Sequence, residues 1–169
     1  MPGSRLVLSS WLALALLLSG GVCSAQDSGT ELVWVPLGGE TFQLELALDA
    51  QTRQRGLSGR DSIPRGGGML FVLPSARPFA MVMRDCPKPI DVAFLDAQGR
   101  VMAIHAMAPE PPRKPGEPRI VYESRLPAYP SGVPVQFAIE TAGGRLAAVG
   151  LAVGDVVRLD FAKLAARAR

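Results

Sequence analysis

From Leu32 onward the chain is a succession of short apolar runs, each stopped by a Gly, Pro or Asp-Gly type signal. The signals recur roughly every 8–12 residues, which is the rhythm of a domain built from short strands. The clearest run is Thr41 to Leu48. Phe42, Leu44, Leu46 and Leu48 fall on one side, and Gln43, Glu45 and Ala47 on the other. Strict alternation of this kind describes a half-buried strand. Gly38-Gly39 before it is a hairpin signal that links back to a strand over Leu32–Val35. Met69–Leu73, stopped by Pro74, and Phe79–Met83 read as buried strands. Asp91–Leu95 reads as another, turned by Asp96–Gly99 into a returning strand over Arg100–Ala108. Ile120–Glu123 and Val135–Thr141 also have strand character, and a last strand is expected to end near Phe161.

Helical segments are few. Asp49–Leu57 lacks alternation; Asp49 is placed to cap a short helix and Gly56 to end it. Gly143–Val149 is a second candidate, and Lys163–Arg169 reads as a solvated helical end. Residues 109–118 hold five prolines and are expected to form an extended surface excursion. The expected architecture is mainly β: one compact β-sandwich or barrel-like domain of about eight or nine strands with one or two short helices. An α/β sheet would need longer helices between its strands.

With 169 residues the chain has room for one such domain. Its first 25 residues read as a signal peptide. Arg5 is the only charge before Asp27, Leu6–Leu18 is apolar apart from Ser9 and Ser10, and Cys23-Ser24-Ala25 supplies a small-residue cleavage site. Thirteen residues make about 20 Å of helix against a bilayer core of about 30 Å. The expected division is therefore a signal peptide (1–25), a leader with the first strand (26–39), a β-rich domain (40–161) and a basic tail (162–169). The protein is expected to be exported, periplasmic or extracellular. The alternatives are retention of residues 6–25 as a membrane anchor, or lipidation at Cys23, against which the bulky Val22 argues.

Removing residues 1–25 deletes Arg5 and no acid, so net charge falls from +3 to +2. That is too weak, and its basic residues too scattered, to imply a nucleic-acid partner or an anionic membrane surface. It leaves Cys86 as the single thiol and His105 as the single imidazole. Two cysteines and one histidine exclude disulfide scaffolds and His-based zinc sites, and neither a cofactor nor a metal is expected. The methionines at 69, 81, 83, 102 and 107 alternate with aliphatic residues and read as core, with Cu(I) the one soft metal such thioethers would hold. Gly66-Gly67-Gly68 lacks the Lys-Ser/Thr of a phosphate loop, and Gly56–Gly59 is one residue short of a nucleophile elbow. The spacing of Asp85, Asp91 and Asp96 is not that of a calcium loop.

Five segments taken in order carry more than any of them alone. They are Arg53-Gln54-Arg55-Gly56-Leu57 with Arg60; Gly68-Met69-Leu70-Phe71; Met83-Arg84-Asp85-Cys86; Pro89-Ile90-Asp91 running to Asp96 and Gly99; and Glu140 with Gly150 and Gly154-Asp155. Together they make residues 40–161 resemble the domain of unknown function family 192. The resemblance implies a compact, mainly β, often exported domain with no established activity. Two departures stand out. Val82 occupies a position where the family commonly has Trp, and Asp85-Cys86 replaces its common Asn-Thr pair.

The densest chemistry lies around Met83–Asp91. Arg53, Arg60, Arg84, Asp85 and Asp91 are the candidate ligand-binding residues: the guanidiniums offer planar forks to a carboxylate or phosphate, and the aspartates orient them. The competing structural account has Asp91 accepting backbone N–H groups and pairing with Arg84, while Arg53 staples a helix to the sheet through Glu140 or Asp155. No catalytic residue is assigned. A Cys86–His105 dyad would lack a third orienting group, and Cys86 reads as a packing residue. The leading expectation is a non-catalytic module binding a small molecule or an envelope protein, with its polar cluster at one end of the β core. The alternatives are a hydrolase of a carbohydrate or cell-envelope substrate pairing Asp85 or Asp91 with Glu140, and a structural domain with no ligand.

Overall fold

The computed structural model describes residues 30–169, so the signal-peptide and anchor readings of residues 1–25 lie outside the described residues. Eight strands and four short helices follow one another: β1 (Leu32–Leu37), β2 (Glu40–Ala47), α1 (Ala50–Arg55), β3 (Gly67–Arg77), β4 (Ala80–Val82), β5 (Ile90–Leu95), β6 (Val101–Met107), α2 (Arg119–Ser124), β7 (Ala128–Pro130), β8 (Val135–Ala142), α3 (Arg145–Ala148) and α4 (Phe161–Ala165). Six strands form one sheet in the order β1-β2-β3-β8-β5-β6, and β4 pairs with β7 in a second, two-stranded sheet. The fold is mainly β and roughly sandwich-like, and neither sheet closes into a barrel. β2 and β3 run parallel, with α1 in the crossover, and every other pairing is antiparallel.

Alternation along the central strands gives each sheet face its own core. Leu70, Val72, Ala93, Leu95, Phe137 and Ile139 pack on one face with Leu146 of α3 and Phe161 and Leu164 of α4. Their neighbours Met69, Phe71, Val92, Phe94 and Ala138 pack on the other with Leu57, Met81, Met83 and Cys86. The α1 prediction holds: the Asp49 carboxylate accepts the Thr52 N–H at 2.9 Å, and Gly56 ends the helix at φ 52°. The Gly38-Gly39 hairpin joins β1 to β2 as expected.

Four expectations need correction. Ile120–Glu123 is helical, not extended. Pro118 supplies a fixed φ at the helix start, and the helix buries Tyr122 while Ile120 stays 75% exposed. The β-branched pair Ile120-Val121 favours a strand, but it lies on the outside, where packing does not decide. The last strand is absent among the described residues: Val156 makes one isolated bridge to Arg100, and Phe161 opens α4. The chain end is docked, not solvated, because Leu164 is buried and the Arg169 N–H donates to the Leu48 carbonyl at 2.7 Å. Finally, Pro74 does not stop β3, which continues to Arg77 through a register shift between Val72 and Arg77. The proline sits where pairing is interrupted, as a residue without an N–H must. The proline-rich segment is irregular, and Arg125 ties it down by donating to the carbonyls of Pro111 and Pro112 at 3.2 and 3.1 Å.

Candidate functional site

One row of side chains crosses the face that carries α1. Leu32, Glu45, Met69, Glu140, Val92 and His105 occupy opposed positions on β1, β2, β3, β8, β5 and β6 in turn. Glu140 therefore stands between Met69 and Val92, in the middle of an apolar face. It is 6% exposed, and its Oε2 is the buried side-chain atom without a hydrogen-bond partner among the described residues. A carboxyl group in that position is costly unless something answers it.

Beside it lies a cavity of about 300 Å³. Gly56, Leu57, Phe71, Phe79, Met81 and Cys86 provide its apolar wall, Glu140 its buried acid, and Arg53, Arg55, Arg77 and Arg84 its basic groups. Gly56 keeps the space open: a Cβ there would lie 3.5 Å from Glu140 Oε2 and 3.3 Å from the Phe71 ring, at a positive φ that disfavours any side chain. The loop after α1 is laced to the segment after β4. Ser58 Oγ donates to the Arg84 carbonyl at 2.8 Å, and the Gly59 N–H donates to the Asp85 carbonyl at 2.8 Å. Asp85 adopts the left-handed region at φ 54°, and its N–H donates to the Tyr122 hydroxyl at 2.9 Å.

Burial pushes the Glu140 carboxyl up to about 8, with the Arg60 charge pulling weakly the other way. At neutral pH it is mostly protonated, both donor and acceptor. Burial, reinforced by Glu140, also pushes the Cys86 thiol up to about 11, so it is not a thiolate nucleophile. Its sulfur donates to the Arg84 carbonyl at 3.4 Å. His105 is engaged elsewhere: its Nε2 lies 2.8 Å from the Pro130 carbonyl, and its ring meets Phe94 and Tyr129 edge-on.

The structure distributes the residues singled out in the sequence over several places. Arg53 and Arg84 line the cavity. Arg53 donates to the carbonyls of Leu48, Val72 and Arg169 at 2.8, 3.0 and 2.7 Å, so it staples α1 to the sheet and the chain end through carbonyls and not through an acid. Arg84 pairs with Glu123 at 3.2 Å and donates to the Gln54 carbonyl, so its partner is not Asp91. Arg60 lies outside the cavity and forms a two-pronged pair with Glu45. Asp85 is exposed in the loop after β4. Asp91 is buried on the opposite sheet face, where it accepts the Leu146 N–H at 3.0 Å. Asp155 accepts the Ala152 N–H in a turn at 2.9 Å.

Sequence reasoning assigned Glu140 a structural role, and the structure makes it the acid of the cavity. The available signal was a lone charge at an inward position of an apolar strand. Arg55 and Arg77 went unnoticed, and Arg77 carried no signal because it follows what read as a strand-ending proline.

Residues 33–159 match the family DUF192, described as an uncharacterized ACR. The chain belongs to the DUF192 family. Four of the DUF192 segments quoted above converge on the cavity, through Arg53, Gly56 and Leu57, Phe71, Arg84 and Cys86, and Glu140. Val82, where DUF192 proteins commonly have Trp, also lines it. The fold is similar to that of a crystal structure described as a putative transcription regulator from Sinorhizobium meliloti 1021, with TM-score 0.61, 25% identity, and coverage of 76% of this chain and 92% of that one. It is also similar to a protein of unknown function from Novosphingobium aromaticivorans DSM 12444, with TM-score 0.62, 25% identity, and coverage of 79% and 89%. No curated protein matches the chain. Among the described residues no cluster of His, Cys, Asp and Glu is arranged to hold a metal, and no helix is long and apolar enough to cross a membrane.

Proposed function

We propose that this DUF192 domain is a non-catalytic binding module, and that its site is the cavity beside Glu140. The observation that carries the reading is the unpartnered Oε2 of a buried carboxyl group facing that space. A bound molecule that hydrogen-bonds this oxygen removes the cost of leaving it unpaired, so occupancy and stability are linked. The apolar wall with a few convergent polar groups is the usual make-up of a small-molecule site.

The hydrolase alternative requires two carboxyl groups across one cleft. Among the described residues Glu140 is the only acid lining the cavity, and Asp91 is on the far face of the sheet. A cavity with one acid and a protonated thiol supports recognition better than bond cleavage. Export after removal of residues 1–25 belongs to the same reading; its check is the intact mass of protein secreted with its own N-terminus, and a mass that retains those residues defeats it.

The test is a thermal-shift screen of small organic molecules against the purified protein and its Glu140→Leu variant, which, unlike a Gln variant, keeps neither the donor nor the acceptor of the protonated carboxyl. A compound that raises the melting temperature of the parent, with a reduced shift in the variant, supports the site. A library without hits, or hits indifferent to Glu140→Leu, contradicts it.

A further inference from the structure

We propose that the cavity takes a small organic anion, its carboxylate or phosphate head held by Arg55 and Arg77, its apolar body against Phe71, Met81 and Leu57, and a hydrogen-bonding group at its far end meeting Glu140. The inference rests on the cavity being a binding site and adds the class of its ligand.

Charge is the first argument. Among the described residues four guanidiniums line this one space, in a chain whose whole net charge is +3, and the only acid lining it is Glu140. Two of the four are already engaged, Arg53 with three carbonyls and Arg84 with Glu123 and the Gln54 carbonyl. Arg55 and Arg77 have no acidic partner within salt-bridge distance among the described residues. The Arg77 guanidinium carbon lies 6.0 Å from the centre of the Phe79 ring, a cation–π contact with one face of the fork that leaves its N–H edges to a ligand. Guanidiniums beside low-dielectric walls favour carboxylates and phosphates, and repel cations.

Size and polarity supply the rest. A space of about 300 Å³ is at the small end for ligand sites and suits a molecule on the order of fifteen non-hydrogen atoms, not a polymer. Phe71, Leu57 and Met81 are buried carbon surface, so the body they contact is apolar. Glu140 Oε2 has no partner among the described residues, so the far end of the ligand carries a group that can hydrogen-bond a carboxyl, such as a hydroxyl or an amide.

Calorimetry on the full chain with matched probes, each with a phenol hydroxyl at the far end, tests this: 4-hydroxyphenylacetate, 4-hydroxyphenyl phosphate, 2-(4-hydroxyphenyl)ethanol and 2-(4-hydroxyphenyl)ethylammonium. The expected result is that at least one anion binds about tenfold or more tighter than the alcohol, as charge-assisted bonds to an arginine fork imply. The preference should vanish in the double variant Arg55→Gln/Arg77→Gln, whose two sites are exposed and whose melting curve checks that it folds. If the alcohol binds as tightly as the anions, or the ammonium binds best, and Glu140→Leu weakens that binding, the anion inference fails and the binding site stands. If no probe binds, the anion inference fails, and empty cavities in fragment-soaked crystals would remove the site with it. An anion preference untouched by the double variant also overturns the proposal, because the anion is then held elsewhere.

Discussion

Asp91 and Glu140 lie on neighbouring strands one rung apart, yet they serve opposite faces of the sheet. Asp91 opposes Thr141, and Glu140 opposes Val92. Because side chains alternate along a strand, that single step of register sends the two carboxyl groups apart. Asp91 meets the first turn of α3 through the Leu146 N–H, and Glu140 faces the cavity under α1. One acid is satisfied within the fold, and the other has no hydrogen-bond partner at Oε2 among the described residues.

The first prediction concerns Glu140. Its folded-state value of about 8 lies above the ordinary 4.5, so between those two values the native state holds a proton that the unfolded chain has lost. Stability therefore falls as pH rises from about 4.5 to 8, and levels off above. Glu140→Gln keeps the shape without the charge. It should remove this slope and stabilise the protein at pH 8 by on the order of a few kcal/mol. Urea unfolding of both proteins at several pH values measures it, and parallel pH profiles would show that the carboxyl is not held in this way.

Cys86 should be a slow thiol. With its pKa at about 11 against the ordinary 9.0, the native protein exposes about a hundredfold less thiolate than the unfolded chain. Alkylation by iodoacetamide followed by mass spectrometry should be slower by at least that factor until denaturant is added. Native and denatured rates within a fewfold of each other would contradict the burial described here.

Asp91→Ala leaves the Leu146 N–H unanswered inside the protein. The expected cost is about 1–3 kcal/mol, with the amides of α3 exchanging faster. Ligand affinity should not change once folding is allowed for. A loss of affinity without loss of stability would move Asp91 into the site.

Arg53→Lys keeps a charge and loses the fork that reaches Leu48, Val72 and Arg169 together. Native-state hydrogen exchange should show the end of α4 and residues 166–169 opening more readily, with a stability loss of about 1–2 kcal/mol. Unchanged protection at the C-terminus would mean that the staple is not formed in solution.

Much of the scaffold was readable because alternation is a local signal. Phe42, Leu44 and Leu46 set β2, and Asp49 with Gly56 bracket α1. What escaped depended on distant partners. Ile120-Val121 reads as extended, but Tyr122 turns inward to meet the Asp85 N–H, and that contact belongs to the tertiary structure. Phe161 looked like the end of a strand, whereas the Phe137 ring, 4.6 Å away, fixes it as the start of a helix. The site was half legible. Arg53 and Arg84 stood out as charges in dense polar segments, but Arg77 reaches the cavity only because β3 runs past Pro74. Asp91 and Glu140 looked like possible mates, and only the register shows which face each one takes.

Crystals soaked with a library of small organic fragments, carboxylates and neutral compounds together, would locate ligands directly. The account predicts that bound fragments concentrate in the space between Gly56, Phe71, Met81 and Glu140, with a polar atom within hydrogen-bond distance of Glu140 Oε2. Fragments scattered over the surface with that space empty would contradict it.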